Sequence, residues 1–201
     1  MFMQIIQGAV RDAGAAKETM DRWHRDLAPG AIGWLGGTYG VTDDGTLVAA
    51  VRFESADAAR RNSMRPEQSA WWQEMSKHFT GEVVFHDCAD VTLLLGGGSD
   101  DAGFVQVIQG RVRDRERARQ LAEESGGMIA AYRPDVIGAT IAIDEDGFVT
   151  ETVAFTTEAE ARENEMKDLP AEAAEHIREE MSLLEDVHFL DLHRPWFGTA
   201  S

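Results

Sequence analysis

The sequence contains a single cysteine, Cys88, and no long apolar run. One thiol excludes an intrachain disulfide, and it cannot form a thiolate metal cluster by itself. No stretch approaches the roughly 18 apolar residues that a membrane helix needs, and the first residues lack a basic leader with a small-residue cleavage site. We therefore expect a cytoplasmic protein that neither spans a membrane nor is secreted.

Positive charge is also scarce. The chain has 19 Lys and Arg against 36 Asp and Glu, which gives a formal net charge of −17. A negative field of this size repels phosphate backbones and anionic lipid surfaces. The composition therefore predicts an acidic protein with neither nucleic-acid nor membrane partners.

Several motifs that carry chemistry are missing. The sequence has no Gly-x-Gly-x-x-Gly or Gly-x-x-x-x-Gly-Lys-Ser/Thr loop and no serine nucleophile elbow. Its six histidines show neither His-x-x-x-His nor His-Glu-x-x-His spacing. Cys88 follows Asp87, whose negative charge disfavours a reactive thiolate. We expect no nucleotide, metal or other cofactor and no catalytic cysteine.

An internal repeat is the strongest feature that is present. The segment Phe2–Asp12 recurs as Phe104–Asp114, an offset of 102 residues, and matches continue in the same register without a gap. Glycine and polar residues dominate the stretch between the copies, as in a domain linker. The repeat predicts a first module at 1–95, a linker at 96–103 and a second module at 104–201.

Each copy has the pattern of a β-α-β-β-α-β module. In the first copy, helical periodicity over 13–27 follows a β-rich run. A glycine turn then separates two strand-like runs, and Pro66 divides the next helical region. The resulting expectations are strands at 2–10, 31–41, 46–54 and 82–95, with helices between them. This order is the ferredoxin-like α+β arrangement, with both helices on one face of an antiparallel sheet.

Element order, module length and duplication resemble the dimeric α/β barrel superfamily, and within it the antibiotic-biosynthesis-monooxygenase-like modules. The resemblance implies two tandem modules packed sheet to sheet, as a pseudo-dimeric α/β barrel within one chain. Further self-association of the chain stays open.

The two copies differ most in their aromatic residues. Trp71 and Trp72 correspond to Ala173 and Ala174, and Trp34 corresponds to a valine. An aromatic-walled pocket in the first module would explain this difference, but a Trp pair that seals an interface between the halves would also explain it. Our candidate ligand-binding residues are Trp34, Asn62, Trp71 and His86. Asn62 and His86 recur in the second copy, which also fits a structural role.

Two functions follow as hypotheses. The first is binding of a small apolar or aromatic ligand in the first module. The alternative, which rests on the resemblance, is a cofactor-independent monooxygenase that acts on a polyketide-like or haem-like aromatic substrate. The comparable residues would be Trp72 and His78 as the catalytic pair, with Asn62 beside them. Haem-degrading members have an asparagine on the first strand, where this sequence has Gln4 and Gln7.

Overall fold

The computed structural model describes residues 1–200. Within that range the chain forms ten β-strands and six α-helices, and the strands make two antiparallel five-stranded sheets. Contacts divide the chain into two compact units: the first unit joins Met1–Ala89 with the chain from Trp196, and the second unit is Asp90–Pro195. The predicted α+β class and the tandem ferredoxin-like modules are confirmed.

The first unit follows the order expected from the sequence. Its elements are β1 (Phe2–Ala9), α1 (Ala13–Asp26), β2 (Trp34–Val41), β3 (Thr46–Phe53), α2 (Ala56–Ser63), α3 (Pro66–Met75) and β4 (Val84–Cys88). Short 3₁₀ turns follow α1 at Ala28–Gly30 and α3 at Ser76–His78. Pro66 is the first residue of α3, where the absent N–H of proline breaks no helical hydrogen bond.

The second unit repeats this order after one additional strand. Its elements are β5 (Asp90–Leu94), β6 (Phe104–Val112), α4 (Arg115–Tyr132), β7 (Val136–Ile143), β8 (Phe148–Phe155), α5 (Glu158–Glu165), α6 (Ala171–Ser182) and β9 (Leu184–Leu192). Phe2 pairs with Phe53 in the first unit, and Phe104 pairs with Phe155 in the second. The duplicated sequence therefore produces the same strand register twice.

Each sheet is completed by a fifth strand. The strand β10 (Trp196–Thr199) pairs with β2, so the first sheet has the order β10-β2-β3-β1-β4. The strand β5 pairs with β7, and the second sheet has the order β5-β7-β8-β6-β9. The sequence predicts one strand over residues 82–95, whereas the structure interrupts it at Ala89. The interruption is required because β4 and β5 bond to different sheets.

The glycine-rich segment 96–103 connects β5 to β6. The Gly97 N–H donates to the Leu94 carbonyl at 3.0 Å, which closes a tight turn. The Gly103 N–H donates to the Phe155 carbonyl at 3.0 Å just before β6 begins. Both ends of this segment are therefore hydrogen-bonded to the second unit.

The first helix of each unit ends differently. The helix α1 ends at Asp26 and is followed by the turn that contains Pro29, whereas α4 continues to Tyr132. The residue that corresponds to Pro29 at the repeat offset is Ala131, which keeps its N–H and imposes no clash on the preceding turn. The additional turn of α4 brings Tyr132 over the sheet of the second unit.

Candidate functional sites

The first unit encloses a cavity of about 70 Å³ between its helices and its sheet. We call it the first cavity. Apolar side chains form most of its wall, and three amides contribute polar atoms. Its lining includes Gln4, Ile6, Met20, Trp23, Asn62, Gln68 and Trp71. Alternation along β1 places Gln4 and Ile6 on the face that the helices cover.

Asn62 provides a hydrogen-bond donor in the first cavity. The side chain, on α2, is 2% exposed. Its Oδ1 accepts from the Ile32 N–H at 3.2 Å and from Arg65 Nη1 at 3.0 Å. Both partners are donors, so the atom facing them is the oxygen. Within residues 1–200 no group accepts from Asn62 Nδ2, which leaves this N–H group available to a ligand.

The other polar groups of the first cavity are held by neighbours. Gln4 Nε2 donates to Asp87 Oδ1 at 2.8 Å. The side-chain oxygen of Gln4 is therefore the atom of this amide that can accept from a ligand. Gln68 Oε1 accepts from Trp23 Nε1 at 2.6 Å. The Trp71 Nε1 donates to the Thr19 carbonyl at 3.0 Å, and the indole therefore presents only apolar surface to the cavity.

The predicted catalytic pair lies outside the first cavity. His78 Nε2 is 2.8 Å from Thr19 Oγ1, and the Thr19 side chain is itself buried. Trp72 packs against Phe79 and Phe85, with ring centroids 6.1 and 5.4 Å away. The structure therefore places neither His78 nor Trp72 beside Asn62, and their catalytic role stays a prediction.

The four predicted ligand-binding residues occupy three places. Asn62 and Trp71 line the first cavity. Trp34 is 5.0 Å from Trp23 between ring centroids, and it lines a separate, more open cleft of about 330 Å³ near β10. His86 pairs with Ile5 across β4 and β1, and cross-strand partners share a face. That face is opposite to the face of Gln4 and Ile6, so His86 does not reach the first cavity.

The second unit contains a cavity of about 70 Å³ whose place within the module overlaps with that of the first, since Ser125, Ile141, Glu151 and Ala173 line it where Trp23, Tyr39, Ala49 and Trp71 line the first cavity. We call it the second cavity. Its wall is mainly apolar, with side chains from α4, α6 and the sheet: Leu94, Ile129, Tyr132, Ile141, Leu169 and Ile177. The aromatic differences between the copies point to the first module as the place of a possible pocket, and the structure has a pocket in each unit.

A carboxyl group lies on the floor of the second cavity. Glu151 on β8 pairs with Ile108 and Ile141 and therefore points to the helix-covered face. Burial, and to a smaller extent the negative charge of Glu180, raises the pKa of Glu151 to about 7. Among the described residues no donor bonds to this carboxyl, whereas buried carboxyls are normally hydrogen-bonded.

Three further polar groups face the second cavity from its helices. The buried Ser125 Oγ on α4 lies 2.8 Å from His176 Nε2 on α6 and hydrogen-bonds to the Glu180 carboxylate. His176 Nε2 is 3.3 Å from Glu180 Oε1. The cluster thus combines a hydroxyl, an imidazole and a carboxylate opposite Glu151.

Sequence reasoning missed this cluster, although a signal for it was present. At the repeat offset Glu151 corresponds to Ala49, and Ser125 to Trp23. Ala49 lies on the helix-covered face of the first sheet, so a glutamate at the matching position predicts a charge directed into the second unit.

One group of potential metal ligands also comes together in the second unit. One ligand atom from each of Glu158, Asp191 and His193 lies within 4.8 Å of the others. Arg162 already forms ion pairs with Glu158 at 3.6 Å and with Asp191. Because Arg162 supplies the positive charge, the arrangement acts as an ion-pair network.

None of the helices in residues 1–200 combines the length and apolarity needed to cross a bilayer.

Comparison with known proteins gives matches in structure. A scan against protein-family models and a search of curated proteins found no match. A Lactobacillus acidophilus NCFM protein with a provisional monooxygenase name is similar over 100% of this chain and 96% of its own, at 13% identity and a TM-score of 0.75. An anthrone oxidase-like protein is similar over 100% of this chain and 93% of its own, at 9% identity and a TM-score of 0.69.

A third solved structure is similar over nearly the whole chain. It is an uncharacterised ferredoxin-fold protein of Listeria monocytogenes 4b F2365 related to antibiotic biosynthesis monooxygenases. It matches 96% of this chain and 94% of its own, at 10% identity and a TM-score of 0.51. The chain therefore shares the tandem ferredoxin-like fold of these three proteins.

Proposed function

We propose that this protein binds a compact apolar or aromatic molecule in the first cavity and that Asn62 orients it. The observation that carries the proposal is the unused Nδ2 donor of a 2% exposed asparagine in a mainly apolar cavity. Such cavities with a few fixed polar groups are the usual form of small-molecule sites. The complementary ligand has a carbonyl or phenol oxygen that accepts from Asn62.

The walls of the first cavity define the rest of the ligand. Trp23 and Trp71 have their N–H groups bonded to protein acceptors, so their rings offer apolar contact alone. The acceptor oxygen of Gln4 favours a hydroxyl on the ligand. A volume of about 70 Å³ suits a compact hydroxylated ring system better than a haem.

A second candidate function is cofactor-independent oxygenation of such a ligand. It is supported by the monooxygenase-type and anthrone oxidase-like names of the similar structures. An anthrone-type substrate supplies its own electrons to oxygen, and the protein then needs only to bind it and to accept its acidic proton. His78 and Trp72 are the catalytic residues predicted from the sequence, but both lie outside the first cavity, so this reaction needs the substrate to extend from the cavity to them.

The binding proposal is tested with phenol, a single hydroxylated ring, and with an anthrone and haem as larger molecules, by tryptophan fluorescence. All five tryptophans of the sequence lie in the first unit, so quenching reports on that unit. Asn62→Asp keeps the oxygen that accepts from Ile32 and Arg65 but removes the Nδ2 donor, and we expect the phenol affinity to fall about tenfold. Asn164→Asp at the matching position of the second copy is the control.

The outcomes separate the two functions. Phenol binding that weakens in Asn62→Asp and not in Asn164→Asp supports the binding proposal, whereas equal affinity in both variants rejects it. Oxygen consumption with the anthrone, reduced in His78→Gln and in Trp72→Phe, supports oxygenation. Binding without oxygen consumption removes the oxygenase candidate and leaves the binding protein.

A further inference from the structure

The second cavity differs from the first at the positions that decide its chemistry. Ala49 of the first sheet is replaced by Glu151, and Trp71 by Ala173. The first change introduces an ionisable group, and the second removes a large side chain from the wall. The two cavities therefore have different ligand requirements, and a ligand of the second cavity is independent of the function proposed for the first.

Glu151 lacks the partner that a carboxyl in this setting normally has. Desolvation disfavours its charged form, and no described residue donates a hydrogen bond to it. The apolar residue at the matching position, Ala49, shows that the module folds without a carboxyl there. A molecule that brings N–H donors and a positive charge into the second cavity would supply what Glu151 lacks.

The charged groups around the second cavity favour a cation. Glu151 comes from the sheet, and Glu180 and His176 come from α6. Tyr132 and Arg133 come from the end of α4, and Arg133 is bonded to Asp135 at 2.8 Å while it lies over the Phe155 ring. Since Asp135 offsets the charge of Arg133, the two glutamates determine the sign of the local field.

We infer that the second cavity is a binding site for a compact apolar amine, whose ammonium group lies between Glu151 and Glu180. Its hydrocarbon body contacts the apolar wall, which includes Ile129, Ile141 and Ile177. A cavity of about 70 Å³ holds roughly five water-sized groups. A branched amine with about five carbon atoms matches this size.

The protonation state of Glu151 links binding to pH. The pKa of Glu151 in the empty cavity is about 7, and an ammonium group stabilises the carboxylate form and lowers that pKa. Amine affinity should therefore increase as the pH rises from 6 to 8, and binding near pH 7 should release part of a proton. A neutral alcohol of the same shape has no such dependence.

The test is calorimetry with 3-methylbutylamine and its neutral match 3-methylbutan-1-ol. We expect the amine to bind at least about tenfold more tightly than the alcohol at pH 8, since a charge-assisted hydrogen bond is worth that much or more. Titrations in buffers of different ionisation enthalpy measure the released proton. Tryptophan fluorescence should not change, because the second unit has no tryptophan.

Variants assign the effect to the carboxyl. Glu151→Gln and Glu151→Ala should each lose about tenfold or more in amine affinity, and Glu151→Ala introduces the residue that the first unit already carries. Glu175→Gln, exposed on α6, is the matched control and should bind like the parent. Circular dichroism verifies that each variant is folded.

Several results would overturn the inference. These are equal affinity for amine and alcohol, unchanged amine affinity in Glu151→Ala, or no binding at millimolar amine. Quenching of tryptophan fluorescence by the amine would place it in the first unit and equally reject the site. Asn62→Asp should leave amine binding unchanged, so failure of one proposal is distinguishable from failure of the other.

Discussion

At the scale of single residues, the two copies show how one substitution changes the chemistry of a shared position. Ala49 and Glu151 occupy the same place in the strand register, facing the helices. In the first unit this position contributes apolar surface to a cavity whose donor is Asn62. In the second unit it contributes a carboxyl that burial keeps partly protonated at neutral pH.

Glu151 should make the stability of the second unit depend on pH. Its pKa is about 7 in the folded chain against 4.5 as the ordinary value, so the folded state binds the proton more tightly. Its stabilising contribution is complete below about pH 4.5 and is lost as the pH rises through 7. The loss is on the order of 2–3 kcal/mol.

The measurement is urea unfolding of the parent and of Glu151→Gln between pH 4.5 and 8, followed by far-UV circular dichroism. We expect the free energy of unfolding of the variant to rise relative to that of the parent across this range. Glu175→Gln serves as control because its carboxyl is exposed on α6. Parallel curves for parent and Glu151→Gln would contradict the assigned protonation.

The candidate sites were only partly predictable from the amino-acid sequence. Asn62 and Trp71 line the first cavity, and a difference between the copies pointed to that region. Trp72 follows Trp71 directly in α3, and a helix directs successive side chains to different sides, whereas His78 lies beyond the end of α3 in the 3₁₀ turn Ser76–His78. They therefore contact Thr19 and Phe85 instead of the cavity.

At the scale of elements, helix starts were predictable because their signal is local. Ser55 Oγ accepts from the Ala58 N–H at 3.1 Å, and Thr157 Oγ1 accepts from the Glu160 N–H at 3.2 Å. Both residues directly precede a helix, where serine and threonine are favoured as N-caps. The division of residues 82–95 was not predictable, since strand periodicity does not identify the strand that will be the partner.

Removal of the Ser55 side chain tests whether this N-cap stabilises α2. Ser55→Ala removes the acceptor for one N–H at the start of α2 and should lower the free energy of unfolding by about 1 kcal/mol. Ser63→Ala, at the last residue of the same helix, should change it by less than about 0.5 kcal/mol. Urea unfolding monitored by tryptophan fluorescence measures both, and equal effects would mean that the cap is not the source.

At the scale of the whole chain, the duplicated sequence does not by itself determine which residues complete each sheet. The repeat keeps one register through β1 to β3 and β6 to β8, and this much follows from the sequence. The last strand differs, because β9 pairs with β6 two residues further along the chain than the repeat offset of β4 would give. The strand β5 follows the first copy along the chain but pairs within the second unit. The strand β10 follows the second copy but pairs within the first unit. Their placement depends on long-range pairing, for which a single sequence offers no periodic signal.

The strand β10 should stabilise the first unit although it comes from the far end of the chain. It pairs with β2 over four residues, and Trp196 stacks near Tyr39 with ring centroids 6.5 Å apart. Deletion of residues 196–201 exposes the β2 edge and removes this aromatic contact. We expect the first unit to lose several kcal/mol of stability, since it loses a strand and a large, partly buried ring.

Urea unfolding by tryptophan fluorescence follows the first unit, and hydrogen exchange follows the strands of both units. In the deletion variant, exchange should accelerate in β2 and β3, while β7 and β8 keep their protection because their sheet is completed by β5. Deletion of residues 200–201 alone, beyond β10, is the control and should resemble the parent. Unchanged protection of β2 after the longer deletion would show that β10 contributes no stability to the first sheet.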